Sequence, residues 1–189
     1  MLASIWRQPE KRFNMKFAAY DEVVKFHGHS CPGLAMGYKL TVAALNKLNS
    51  LRSEDEEIVA IVENDACGTD AVQYLSGCTF GKGNFIFKDY GKMVYTFFCR
   101  NSGKAIRASR NPEFLMQVRK NETTREEMIK FILESKDEDF AKMKEVNIEL
   151  PPKAQLHENI VCDKCGETVM ETRIREIDNQ NLCIPCAEK

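Results

Sequence analysis

Two histidines and a cysteine fall within five consecutive positions, His27-Gly28-His29-Ser30-Cys31, in a chain with three histidines in all. Imidazole and thiolate bind borderline-soft metals and carry nucleophilic or redox chemistry near neutral pH. A second stretch, Asp65-Ala66-Cys67-Gly68-Thr69-Asp70, adds another thiol and two carboxylates. Cys67 can complete a His/Cys metal site with His27, His29 and Cys31, while Asp70 can orient an imidazole from behind. His27 and His29 alternate in the sequence, so extended backbone would point them to opposite sides. One of the two is therefore expected to reach the same centre as Cys31. The plainer alternative is a buried cysteine with a capping histidine, and for Asp70 an ordinary helix cap.

Four more cysteines lie near the end, as Cys162-x-x-Cys165 and Cys183-x-x-Cys186, with 17 residues between the pairs. This is the spacing of a structural four-cysteine zinc site, where each C-x-x-C turn brings two thiolates to one ion at about 2.3 Å. Gly166 permits the tight knuckle, and Val169 to Ile177 with the turn Asp178-Asn179-Gln180-Asn181 suits a hairpin. About 30 residues bury too little apolar surface to fold alone, so the ion supplies the folding energy. Four protein thiolates leave no open position, which makes this zinc structural.

From Ala154 onward four lysines and arginines face seven acidic residues, a net charge of −3. Phosphate-dominated binding wants the opposite sign. A zinc-finger regulator acting on nucleic acid is thus the weakest reading, and a protein contact or a lid over the main domain suits the charge better. Gly81-Lys82-Gly83 resembles a phosphate loop only superficially, because the preceding spacing is wrong and Asn84 stands where Ser or Thr is needed. It can still be a tight turn that carries Lys82 to an anionic substrate group, or a plain turn. Cys78 and Cys99 sit on apolar segments and read as core. Between Arg100 and Arg125 seven basic residues face two acidic ones, a local +5 that suits either an acidic partner or a solvated face.

These residues need elements to hold them. Tyr20 to Phe26 suits a short helix that delivers His27 to a turn at Gly28. Ser30 or Cys31 can cap the next helix, with Pro32 in its first turn where a missing N–H costs nothing. Leu34, Tyr38, Thr41, Val42, Leu45 and Leu48 then recur at three- and four-residue steps, down to about Asn49. Ile58-Val59-Ala60-Ile61-Val62 is a β-branched run that suits a buried strand leading to Cys67. A helix follows from Thr69 or Asp70 to Ser76. Phe85-Ile86-Phe87, Met93 to Phe98 and Ala105 to Ser109 suggest an antiparallel meander. Asn111-Pro112 opens another helix, and Thr124-x-x-Glu127 has capping-box form. Asp137 to Val146 is a polar segment, and Asn147 to Pro152 a linker. The order of elements suits an α+β fold.

The bulk properties fit this plan. The 189 residues are 43% apolar and 29% charged, enough for one cored domain and an appendage. A formal charge of −1 gives no global pull toward nucleic acid or an anionic membrane. Eight cysteines, four of them in C-x-x-C pairs and with no secretory leader visible, point to metal binding in a cytoplasmic protein rather than to disulfides. The chain divides into an arm over residues 1–19, an α+β core over 20–150 and a zinc-finger domain over 151–189.

With these motifs in hand, the chain resembles the FmdE family, named for its association with formylmethanofuran dehydrogenase. The resemblance rests on Phe26 to Leu34, Glu63 to Gln73 and Gly77 to Asn84, together with the turn Phe87 to Lys92. It implies a thioredoxin-like α+β core with a mixed sheet flanked by helices, and a C-terminal treble-clef zinc finger. It also implies a metal-binding active site from the His/Cys motifs, which can hold a second zinc or other divalent ion, and self-association as a homodimer. Cys31, Cys67 and Asp70 would then be the catalytic groups. A link to molybdenum formylmethanofuran dehydrogenase metabolism follows from the resemblance alone. The rival reading is an accessory, metal-handling protein docked on a larger redox enzyme. No C-x-x-C lies in the core, so thioredoxin-type dithiol chemistry is not supported.

Overall fold

Cys31 caps the longest helix among the described residues, and the rest of the core is laid around that helix. The computed structural model describes residues 17–114, 116, 124–149 and 151–189; most of the expected N-terminal arm lies outside them. Two compact units divide at Lys153 and Ala154.

In the larger unit, α1 (Tyr20–His27) ends on Gly28, whose φ of 94° is open to glycine at little cost. α2 (Pro32–Leu48) follows, with the Cys31 Sγ accepting the Leu34 N–H at 3.3 Å. Leu34, Leu40, Leu45 and Leu48 are buried along it, and so are Ala35, Ala43 and Ala44, so α2 is apolar on most sides. It packs on α3 (Gly68–Ser76), on the sheet, and on α4 (Arg125–Glu134). The Thr124–Glu127 capping box at the start of α4 forms in full. Asn111 Oδ1 accepts the Glu113 N–H at 3.3 Å, as expected of an N-cap before Pro112.

The sheet has β1 (Ile58–Val62), β2 (Phe85–Phe87), β3 (Val94–Cys99), β4 (Lys104–Arg110) and β5 (Ala141–Val146) in the order β2-β1-β3-β4-β5. The β3–β4 hairpin is antiparallel as expected. Phe85–Phe87 departs from the expected meander: it lies parallel to β1, with Ile61 opposite Ile86, and makes the sheet mixed. The 137–146 segment also differs, since α5 (Asp137–Phe140) leads into β5, an edge strand antiparallel to β4. Two rows of side chains cross the sheet in register. Ala60, Phe97 and Ile106 belong to the main core under α2, whereas Val59, Phe98 and Ala105 form a smaller cluster with Ile86, Val146 and Ile148. The architecture is α+β, and no helix among the described residues is long and apolar enough to cross a membrane.

In the smaller unit β6 (Asn159–Val161) pairs with β7 (Thr168–Met170), and β8 (Ile174–Ile177) with β9 (Gln180–Cys183). The expected hairpin therefore turns at Asp178 and Asn179, both at positive φ, and Val169 belongs instead to the preceding pair. A short helix, α6 (Ile184–Ala187), closes the unit.

Candidate metal centres

Both helix starts that meet at the core site carry a cysteine. Cys31 precedes α2 and Cys67 precedes α3, and the two helices cross so closely that the main chains touch at glycine. A Cβ on Gly37 would lie 2.3 Å from the Gly68 Cα, and one on Gly68 would lie 2.4 Å from the Tyr95 hydroxyl and 3.1 Å from the Gly33 carbonyl oxygen. Gly33 itself sits against both cysteines, its would-be Cβ 3.5 Å from the Cys67 Cβ and 3.8 Å from the Cys31 Sγ. No larger residue at Gly37 or Gly68 would leave the thiols this close.

One donor atom each from His27, His29, Cys31 and Cys67 lies within 4.8 Å of the others. The structure thus brings both histidines to one place, against the expectation that they diverge. The reason is Gly28: its left-handed turn breaks the alternation, and the two imidazole rings come to rest with centroids 4.4 Å apart. Asp70 Oδ2 stands 2.6 Å from His27 Nδ1. This leaves His27 Nε2 buried and without a hydrogen-bond partner. An unpaired buried imidazole nitrogen is costly, and it fits an ion as a donor whose other nitrogen is already fixed. Burial pushes the Cys67 thiol up, and the Cys31 sulfur beside it adds to the effect. Two adjacent sulfurs cannot easily both ionise, and a cation between them relieves that.

Asn64, which sequence reasoning did not single out, positions the second half of the site. Buried at the end of β1, it donates from Nδ2 to the Lys92 carbonyl at 2.5 Å and accepts the Ala66 N–H on Oδ1 at 3.1 Å. The loop that presents Cys67 is thereby shaped by one side chain. A polar residue directly after a buried apolar run was the available signal. Next to it, Glu63 forms a two-pronged pair with Arg107 at 3.0 Å.

Lys82 does not join this cluster. Its ammonium donates to the Glu54 and Asp55 carbonyls at 3.3 and 2.9 Å, and it lines a cleft with Arg52, Tyr74 and Thr79 that none of the four donors lines. The expected substrate contact at Lys82 is replaced by a loop tether, because the Gly81–Gly83 turn faces the segment before β1. The basic run also proves less free than its charge suggested. Arg100 donates to the Glu56, Pro151 and Pro152 carbonyls, Arg107 pairs with Glu63, and Arg125 donates to the Ser30 carbonyl. Arg119 and Lys120 lie outside the described residues. Cys78 is core as expected, buried with its Sγ on the Ile58 carbonyl and its thiol pushed up to about 11 by burial.

In the smaller unit the donor sulfurs of Cys162, Cys165, Cys183 and Cys186 lie within 4.8 Å of one another. Cys165 and Cys183 are 3.8 Å apart, and sulfurs at 2.3 Å from a tetrahedral ion have edges of about 3.8 Å. Gly166, at φ 76°, returns its N–H to the Cys162 carbonyl and closes the knuckle. Backbone N–H groups around Cys165 and Cys183 hold the Cys162 thiol down to about 6. The neighbouring Cys183 sulfur, then burial, push Cys186 up to about 12. This is a four-cysteine zinc-binding site.

Comparison with known proteins agrees with these observations. Residues 158–189 match the prokaryotic dksA/traR C4-type zinc finger. The chain is 33% identical over 190 residues to a probable S-adenosyl-L-methionine-binding protein of Archaeoglobus fulgidus, a match that covers 86% of this chain and 50% of that protein. It thus spans about half the length of that relative. The crystal structure of a tungsten formylmethanofuran dehydrogenase FmdE-like protein from Syntrophus aciditrophicus has the same fold. Its TM-score is 0.66 at 23% identity, over 92% of this chain and 97% of that one. Residues 26–151 match the family described as FmdE, molybdenum formylmethanofuran dehydrogenase operon, and the chain belongs to that family.

Proposed function

We propose that this chain is a metal-binding protein with two centres: a core centre held by His27, His29, Cys31 and Cys67, and a structural zinc in a C-terminal treble clef. The core reading rests above all on the buried, unpartnered His27 Nε2 facing three other donors. Two nitrogens and two sulfurs suit zinc among the common divalent ions. When bound, the ion supplies a Lewis acid and holds the two thiols as thiolates. The chain's own residues do the rest: Asp70 fixes the His27 ring, and the α2–α3 crossing fixes Cys31 against Cys67. The treble-clef reading is supported by a C-x-x-C knuckle, a β-hairpin and a second cysteine pair at the start of α6.

Elemental analysis of purified protein tests this. Two ions per chain are expected, falling to one in Cys31→Ser/Cys67→Ser. One ion in the parent protein, or an unchanged count in the variant, would refute the core centre. We further propose that the protein is a homodimer and that it serves a larger redox enzyme, a reading favoured by the operon for which the family is named. Size-exclusion light scattering checks the first, and co-purification from native extract the second.

A further inference from the structure

The four core donors are not held alike. Asp70 binds the His27 ring from behind. Cys31 is buried and capped onto the Leu34 N–H. Cys67 rides on the Asn64-shaped loop and on the Gly37–Gly68 contact. His29 is exposed, and among the described residues no hydrogen bond holds its imidazole; its one marked contact is the ring of His27. The backbone around it is nevertheless fixed, because Gly28 N–H reaches the Val24 carbonyl, Arg125 holds the Ser30 carbonyl, and the Tyr20 hydroxyl bonds Ser30 Oγ. The freedom at this position therefore belongs to one side chain and not to a loop.

We infer that His29 is the exchangeable member of the core donor set, and that the place it vacates accepts a small thiol from outside. This rests on the metal-centre reading above. The chemistry of the fixed donors selects the ligand class. Two thiolates already offset the charge of a divalent ion, so its power to polarise water is weak, whereas its affinity for a further soft donor persists. A thiol would enter as thiolate, releasing its proton to solvent. The exposed Phe26 ring, packed against Tyr74, flanks the approach next to His27.

Cobalt(II) reconstitution of the full chain tests the inference, read by absorption difference spectra during titration with 2-mercaptoethanol. The tail contributes a constant background, since all four of its positions are protein thiolates. His29→Ala is expected to keep its core cobalt with at most about a tenfold loss of affinity, whereas His27→Ala loses it by about 10–100-fold or more. The thiol should raise the sulfur-to-cobalt band of the core in both parent and His29→Ala proteins, at a concentration at least about tenfold lower in the variant. A His29→Ala protein that empties as completely as Cys31→Ser, or a core spectrum that does not respond to thiol, overturns the inference while leaving the metal centre standing. Absence of core cobalt from the parent protein overturns both.

Discussion

His27 Nδ1 lies 2.6 Å from Asp70 Oδ2, although the two residues are 43 positions apart in sequence. The contact ties the end of α1 to the first turn of α3 and directs the other imidazole nitrogen inward. Asp70→Ala is expected to lower core-metal affinity about 10–100-fold without affecting the tail, with Asp70→Asn in between. Competition with a chromophoric chelator measures this. Equal affinities in all three proteins would show that the carboxylate merely caps its helix.

Gly37 meets Gly68 main chain to main chain, so a methyl group there has no rotamer by which to escape. Gly37→Ala should destabilise the core by about 1–3 kcal/mol or more in thermal or denaturant unfolding. It should also weaken the core centre, because the shift is transmitted to Cys67. Gly81 has open space where its Cβ would be, and Gly81→Ala should change neither quantity. A Gly37→Ala protein as stable as the parent would contradict the tight crossing.

Cys183 ends β9, lies beside the Cys165 sulfur and donates its N–H to the Cys162 sulfur. In Cys183→Ser, zinc should fall by one per chain. Amide resonances of residues 154–189 should collapse to random-coil positions while those of the five-stranded sheet persist. A tail that keeps its dispersion without metal would mean that side-chain packing alone folds it.

Glu57 supplies a pH-dependent contact away from either centre. The Ser53 hydroxyl and then the Asp55 N–H donate to its carboxylate and hold it at about 2, down from 4.5. A depressed carboxyl lends stability that is whole above its ordinary range and fades as pH falls from about 4.5 through about 2. The melting-temperature gap between the parent and Glu57→Gln should therefore be present at pH 6 and close near pH 2. A gap constant over that range would show that the carboxylate charge plays no part.

Much of this was legible in the sequence because the signals were local. Pro32 after a capping Cys31, the Thr124–Glu127 box, the β-branched run of β1 and the C-x-x-C pairs each act within a few residues. What escaped was set by neighbours far along the chain. β5 is an edge strand whose Lys142, Lys144 and Glu145 face outward, so its composition resembled a solvated segment. Phe85–Phe87 is too short to declare its direction, which pairing with β1 decides. At the site, the alternation rule for His27 and His29 assumed extended backbone, and one residue at positive φ was enough to overturn it. Asn64 was missed because nothing in a lone asparagine reveals that its two ends bridge Lys92 and Ala66.

The touching glycines of α2 and α3 have one more effect. The gap between Cys31 and Cys67 is inherited from the polypeptide itself, and no side-chain rotation can widen it. An oversized cation would have to prise two helices apart, so a centre framed in this way discriminates by ionic radius as well as by softness.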